Sequence, residues 1–269
     1  MTDTPTPNYT LLDEAGLGGA MFFPRPNESP PPSGATDHLI EVDSSSTPRV
    51  AIAARHYLAN PVWPTILYFH GNGEVASDHD GIAPLYRDIG INLFVAEFRG
   101  YGDSTGTPSY ATLVSDAHPV VAAFHRILDQ LGCADQRYIM GRSLGANPAL
   151  EAAANAAQRF NGLIIESGAG NIRRSLARTG LLDTEIGGQL AHAHEQKIRS
   201  ITLPTLIIHG EIDLLVPPST AEALRDLLIN TTPVLEVVPR AGHNDLLWVG
   251  RLQYLEAITK LVQQSAHSA

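Results

Sequence analysis

The sequence predicts an α/β protein with a mostly parallel central sheet and helices on both of its faces. Short apolar runs recur at residues 65–69, 91–98, 136–140, 162–165, 205–208 and 234–238. Runs of this kind are typical of strands buried on both faces. Segments of helical length separate them, which is the alternation that parallel strands require of their connections. At 269 residues the chain is long enough for one large domain with a substantial core.

Taken in order, residues 1–37 form an N-terminal extension too polar to fold alone. Within it Met21-Phe22-Phe23-Pro24-Arg25-Pro26 suggests a short apolar anchor, and the Pro/Ser/Gly-rich stretch from Asn27 to Thr36 reads as a surface loop. Gly16, Gly18 and Gly19 lack the strand-then-helix context of a nucleotide fingerprint. The single domain spans residues 38–269 and starts with two alternating stretches, His38 to Val42 and Arg49 to Tyr57, which suggest an antiparallel pair. Helical spacing follows from Asp80 to Ile89, with Ile82, Leu85, Tyr86 and Ile89 on one side. Further helices are expected at Thr112–Leu131, Leu144–Ala157, Thr220–Leu228 and Leu246–Val262. Residues 168–200 interrupt the rhythm and are expected to form a small helical cap over the strand ends.

Composition narrows the partners. A hydrophobic share of 43% and a charged share of 17% are those of an ordinary globular protein. The net charge of −10 opposes nucleic acid and anionic membrane surfaces. Cys133 is the single cysteine, so no intramolecular disulfide is possible and a reducing compartment is compatible. The N-terminus has neither the basic nor the apolar region of a secretory signal, and no apolar run approaches 18 residues. A cytoplasmic protein without stable membrane insertion is the expectation. His192 and His194, two residues apart on a helix, point their rings apart and read as solvated cap residues; no metal or cofactor is expected.

In such sheets the reacting groups lie beyond the carboxyl ends of the strands. Gly141-Arg142-Ser143-Leu144-Gly145 follows an apolar run and precedes a helix-forming segment, the context of a strained turn that exposes a nucleophilic serine. Ser104 sits in a second Gly-x-Ser-x-Gly pattern, but no helix starts beneath it and it reads as a glycine-rich loop. His70-Gly71-Asn72-Gly73 offers backbone N–H groups for an oxyanion: Asn72 is the first choice, Gly73 the second, and Leu144 supplies the other donor. His70 itself reads as structural. Asp213 lies a few residues past a strand and is favoured as the acid over Glu211. His243 is in the loop after the last strand, with Asn244 or Asp245 placed to cap the next helix. A serine hydroxyl is a weak nucleophile until a base takes its proton. An imidazole can do so and return it to the leaving group, provided a carboxylate fixes its tautomer.

In this order the motifs resemble those of the α/β-hydrolase superfamily of serine hydrolases, over roughly residues 40–265. The resemblance rests on His70-Gly71-Asn72-Gly73, Phe98 to Gly102, Gly141 to Gly145, His209-Gly210 with Asp213, and Gly242 to Asp245. The second and last pieces, with Met21 to Arg25 upstream, are most similar to a subgroup that contains depalmitoylases and related hydrolases. Pro148, a turn into the elbow helix, departs from the pattern and is expected to bend it. The cysteine-rich N-terminus of membrane-associated members is also absent, so membrane attachment is not implied. The resemblance implies an α/β-hydrolase fold and a serine hydrolase of carboxylic esters or thioesters, acting on a small-molecule acyl substrate. The alternatives are an amidase or peptidase with the same triad, or a non-catalytic binding protein. Gly73, Leu214 and Leu215 are candidate substrate contacts. Arg173, Arg174 and Arg178 are either a solvated helix face or a means of steering an anionic substrate.

Overall fold

The computed structural model describes residues 6–266. Residues 1–5 of the expected extension and 267–269 of the expected domain lie outside the described residues. One eight-stranded sheet organises the rest. Its strands are β1 (Ala35–Asp43), β2 (Val50–Tyr57), β3 (Thr65–Phe69), β4 (Asn92–Ala96), β5 (Arg137–Arg142), β6 (Gly162–Glu166), β7 (Thr205–Gly210) and β8 (Val234–Val238). The spatial order is β1-β2-β4-β3-β5-β6-β7-β8. The first two strands pair antiparallel, β2 pairs antiparallel with β4, and the pairs from β4 to β8 are parallel.

Every residue of β3, β4, β5, β6 and β7 is buried, the apolar runs at their centres and the polar residues Asn92, Arg137, Arg142, Glu166 and His209 at or near their ends. The edge strand β8 is half open, with Val234 and Val237 exposed. Register brings the strand ends level: Phe69 pairs with Ala96 and Gly141, Arg142 with Glu166, and Glu166 with Ile208. The loops that leave these ends therefore meet along one edge of the sheet. Two apolar layers cover the faces. One contains Leu67, Phe94, Phe124, Ile139, Leu150 and Ile207; the other contains Tyr68, Val95, Met140, Ile164, Ile208 and Ile258. Alternate residues of each strand serve opposite layers, as the pleat dictates.

The helices are α1 (Thr10–Glu14), α2 (Gly18–Met21), α3 (Ala83–Asp88), α4 (Tyr110–Ser115), α5 (Ala117–Gln130), α6 (Ala146–Asn155), α7 (Arg173–Arg178), α8 (Glu185–Arg199), α9 (Ser219–Leu227), α10 (Leu246–Val249) and α11 (Arg251–Ala266). Two expected helices are each divided in two. The expected Thr112–Leu131 helix breaks at Asp116, whose carboxylate takes two bonds from Arg99, 2.7 Å from Nε and 2.8 Å from Nη2. The expected Leu246–Val262 helix breaks at Gly250, where a Cβ would lie 2.3 Å from Val238 Cγ1. The bend expected at Pro148 has no cause in the structure. Pro148 is in the first turn of α6, and Asn147 Nδ2 donates to the Leu144 carbonyl at 2.8 Å, the acceptor that a residue with an N–H at 148 would have used.

Residues 168–200, the expected small cap, carry α7 and α8, and part of the N-terminal stretch packs on them. Tyr9, Leu12 and Leu17 form one cluster with Tyr110, Ile172, Leu176 and Leu190. His192 is exposed as expected, but His194 is not solvated. It is buried, and its Nδ1 is 2.7 Å from the Tyr9 hydroxyl. Among the described residues no helix is long and apolar enough to cross a membrane.

Candidate active site

The elbow starts where β5 ends. Ser143 has φ +51°, a left-handed conformation that costs a non-glycine residue of the order of 1–3 kcal/mol and persists only where its surroundings hold it. Here they do. A Cβ on Gly141 would lie 2.3 Å from the Gly145 carbonyl oxygen, and one on Gly145 would lie 2.1 Å from the Phe69 carbonyl oxygen. Neither position tolerates a side chain, so the turn can close under Ser143 and lie against β3.

Three loops bring Ser143, His243 and Asp213 together. His243 Nε2 is 3.0 Å from Ser143 Oγ, and His243 Nδ1 is 2.7 Å from Asp213 Oδ2. A carboxylate only accepts, so Nδ1 carries the imidazole proton and Nε2 is left to accept from the serine hydroxyl. Asp213 is fixed from its other side as well. Its Oδ1 accepts the N–H groups of Leu215 at 2.9 Å and Val216 at 2.8 Å. His209 Nε2 donates to the Val216 carbonyl at 2.8 Å and stands 3.4 Å from Asp213 Oδ2. Gly210 opens the way for the His243 loop, since a Cβ there would lie 2.4 Å from the Ala241 carbonyl oxygen. The rival acid Glu211 instead accepts the Arg240 N–H at 2.9 Å.

The glycine loop after β3 lies beside this group. Asn72 is clamped through its side chain: Oδ1 accepts from the Tyr101 hydroxyl at 2.6 Å and from the Phe23 N–H at 3.1 Å, and Nδ2 donates to the Met21 carbonyl at 2.6 Å. Arg25 Nε donates to the Gly73 carbonyl at 2.8 Å. Residues 21–25 of the extension are thus a strap across this loop. His70 is outside the Ser143–His243–Asp213 group, fully buried, 3.0 Å from Glu97 Oε2 through Nε2 and 2.8 Å from the Gly71 carbonyl through Nδ1. Burial works against its charge, but the bond and charge of Glu97 outweigh burial and raise its pKa.

The remaining sequence candidates separate. Ser104 Oγ accepts the Ala53 N–H at 2.8 Å, which ties that loop to β2. Leu214 is 95% exposed and Leu215 52% exposed, on the loop that carries Asp213. Arg173, Arg174 and Arg178 are exposed, and Arg174 Nη1 donates to the Leu215 carbonyl at 2.5 Å. Asp245 does not cap the next helix with its side chain; Oδ1 turns back to the Gly242 N–H at 2.6 Å. Asn244 Oδ1 is 2.8 Å from Arg142 Nη2.

Sequence reasoning missed Arg142, Glu74 and Glu166. Arg142 occupies a position that the elbow motif leaves free, yet it is buried between the two carboxylates. Burial opposes the ionisation of Glu74, but Arg142 and then His79 and His70 outweigh it and lower its pKa. Glu166 is more deeply buried, and desolvation prevails over Arg142, so its pKa is raised. The Tyr254 hydroxyl donates to Glu166 Oε2 at 2.7 Å.

Comparison with known proteins identifies similar hydrolases. The family model for serine aminopeptidase, S33, matches residues 61–192. Alpha/beta hydrolase domain-containing protein 17B of Xenopus laevis is 32% identical over 272 residues, a match covering 97% of this chain and 88% of that protein. Lysophosphatidylserine lipase ABHD12 of Danio rerio is 31% identical over 185 residues, 61% of this chain, and the match spans only 47% of the lipase. Among solved structures, the Pyrococcus furiosus esterase Pf2001 superposes with a TM-score of 0.69 at 17% identity, over 91% of this chain and 99% of its own. That likeness establishes the fold, and the relatives together support a hydrolytic role. By sequence and by architecture, the chain belongs to the α/β-hydrolase superfamily.

Proposed function

We propose that the protein is a serine hydrolase that cleaves a carboxylic ester or thioester through an acyl-enzyme on Ser143. The observation that carries this reading is the unbroken chain from Asp213 through His243 to Ser143 Oγ, with the serine held at φ +51°. Ser143 Oγ attacks the acyl carbon while its proton passes to His243 Nε2, and the carbonyl π electrons move onto oxygen. The N–H groups of Leu144 and Asn72 hold that oxyanion; one such donor is typically worth about 2.7–4 kcal/mol of barrier. Collapse expels the alkoxide or thiolate, which takes the proton from His243. Water then attacks the acyl-enzyme, gives its proton to His243, and the acid leaves as Ser143 recovers the proton. Asp213 holds the tautomer throughout and stabilises the imidazolium.

Gly73, Leu214 and Leu215 serve in this reading as substrate contacts. The exposed leucines sit on the loop that carries Asp213, where an acyl or alcohol group would meet them. Neither a cofactor nor a metal enters any step. The family model's description keeps amide cleavage as the second reading, since the same triad serves both reactions. Rates on p-nitrophenyl esters from acetyl to palmitoyl, on one acyl-CoA and on one aminoacyl p-nitroanilide rank the readings. Ester or thioester turnover that vanishes in Ser143→Ala is the expected result. Turnover confined to the anilide favours the peptidase reading, and turnover unchanged in Ser143→Ala ends both.

A further inference from the structure

We propose that Arg142 is a positioning residue, which holds the His243 loop and the Asn72 loop in register across the elbow. The proposal rests on the Ser143–His243–Asp213 reading and deepens it. Arg142 immediately precedes the nucleophile, and its guanidinium engages three separate segments. Nη2 donates to the His243 carbonyl at 3.0 Å and to Asn244 Oδ1 at 2.8 Å. Nε donates to Glu166 Oε1 at 3.2 Å, at the end of β6. Nη1 pairs with Glu74 Oε1, and Glu74 Oε2 accepts the Gly71 N–H at 2.8 Å, one residue before Asn72. One planar group thus ties together the backbone of the base, the turn that presents a candidate oxyanion donor, and the strand end that carries the nucleophile.

Two further observations make this more than a buried ion pair. A Cβ on Gly71 would lie 2.5 Å from Arg142 Nη1, so the glycine loop is shaped around the guanidinium. Beside the guanidinium is a cavity of about 120 Å³, lined by Glu74, Arg142, Glu166, Asn244, Trp248 and Tyr254 among others. The His243 loop therefore has open space on this side, where it can shift if the guanidinium bonds are lost. Charge balance alone needs only one cation between two carboxylates, which lysine supplies. Donating in three directions at once needs the planar fork of arginine.

Arg142→Lys and Arg142→Ala are the test, read on p-nitrophenyl acetate with active sites counted by a fluorophosphonate titrant. Misplacing a reacting group by about 1 Å can cost about 100-fold. Arg142→Lys is therefore expected to lower kcat per titrated site about 10- to 100-fold with KM within about twofold, and millimolar methylguanidinium is expected to restore part of the loss in Arg142→Ala. A role confined to stability gives fewer titrated sites with unchanged kcat per site and no rescue, and that result overturns the proposal. If both Arg142 variants fail to fold, Asn244→Ala decides. It removes one acceptor on the His243 loop and leaves both carboxylate pairs in place. A fall of about 3- to 10-fold in kcat per site at unchanged thermal midpoint supports the proposal; an unchanged kcat overturns it. Wild-type protein that is neither labelled nor active would instead refute the triad reading beneath it.

Discussion

Asp213→Asn is the substitution whose consequence the hydrogen bonds determine most fully. Asp213 Oδ1 accepts two backbone N–H groups, from Leu215 at 2.9 Å and Val216 at 2.8 Å. In the asparagine variant the amide oxygen must occupy that position, because an NH₂ there would face two donors. The NH₂ group then faces His243 Nδ1, where Asp213 Oδ2 now stands at 2.7 Å. An NH₂ only donates to the ring, so Nδ1 must become the acceptor and Nε2 must carry the proton. That proton points at Ser143 Oγ, 3.0 Å away, and the imidazole can no longer accept from it. A wrong tautomer in such a triad costs about 10⁴-fold in kcat, about 5.4 kcal/mol at about 1.36 kcal/mol per tenfold. The assay is kcat on p-nitrophenyl acetate at pH 7–8, with circular dichroism melts to show that the fold is kept. Glu211→Gln is the control, expected within about twofold of wild type, since the Glu211 carboxylate accepts the Arg240 N–H rather than touching His243. Asp213→Asn activity within tenfold of wild type would refute the tautomer argument.

Two further outcomes follow from the strap and from the buried histidines. Asn72→Ala removes the three side-chain bonds that fix its loop while keeping its backbone N–H, and kcat is expected to fall about 10- to 100-fold, within the value of one oxyanion donor, with KM nearly unchanged; an unchanged kcat would show that the clamp does not position that donor. Burial lowers the His56 pKa to about 4, and its Nε2 has no hydrogen-bond partner among the described residues. As pH falls below about 6.5 the unfolded chain takes a proton there that the folded chain refuses, so stability declines until about pH 4, by about 3 kcal/mol for this residue. Thermal midpoints measured across that window should fall less steeply in His56→Phe than in wild type; identical slopes would count against it.

The central strands were legible because a strand buried on both faces reads as an apolar run, and β8 matched its expected residues, 234–238, although it is half open. The grouping of Ser143, His243 and Asp213 in the candidate site was legible for a related reason. Each member follows a strand end, and the strand-turn-helix context distinguished Ser143 from Ser104. The features that were not legible depend on distant partners. Arg142 meets Glu74 68 positions away and His243 101 positions away, and nothing local marks those pairs. Asp116, where one expected helix divides, is bonded by Arg99, and Gly250, where the other divides, lies against the side chain of Val238. His194 lies on a helix face that looked solvent-facing until Tyr9, 185 positions upstream, covered it. Asn72 was singled out by its glycine context, but the segment that clamps it was read only as a short apolar anchor in the N-terminal extension, with no sign of the loop it meets.

The most direct test of the account is the site of covalent trapping. A fluorophosphonate at pH 8 should add one phosphonyl group per chain, and peptide mass spectrometry should locate it on Ser143. Labelling should disappear in Ser143→Ala and slow by orders of magnitude in His243→Ala. A folded wild-type protein that hydrolyses esters while Ser143 stays unmodified, or that carries the adduct on Ser104, would contradict it.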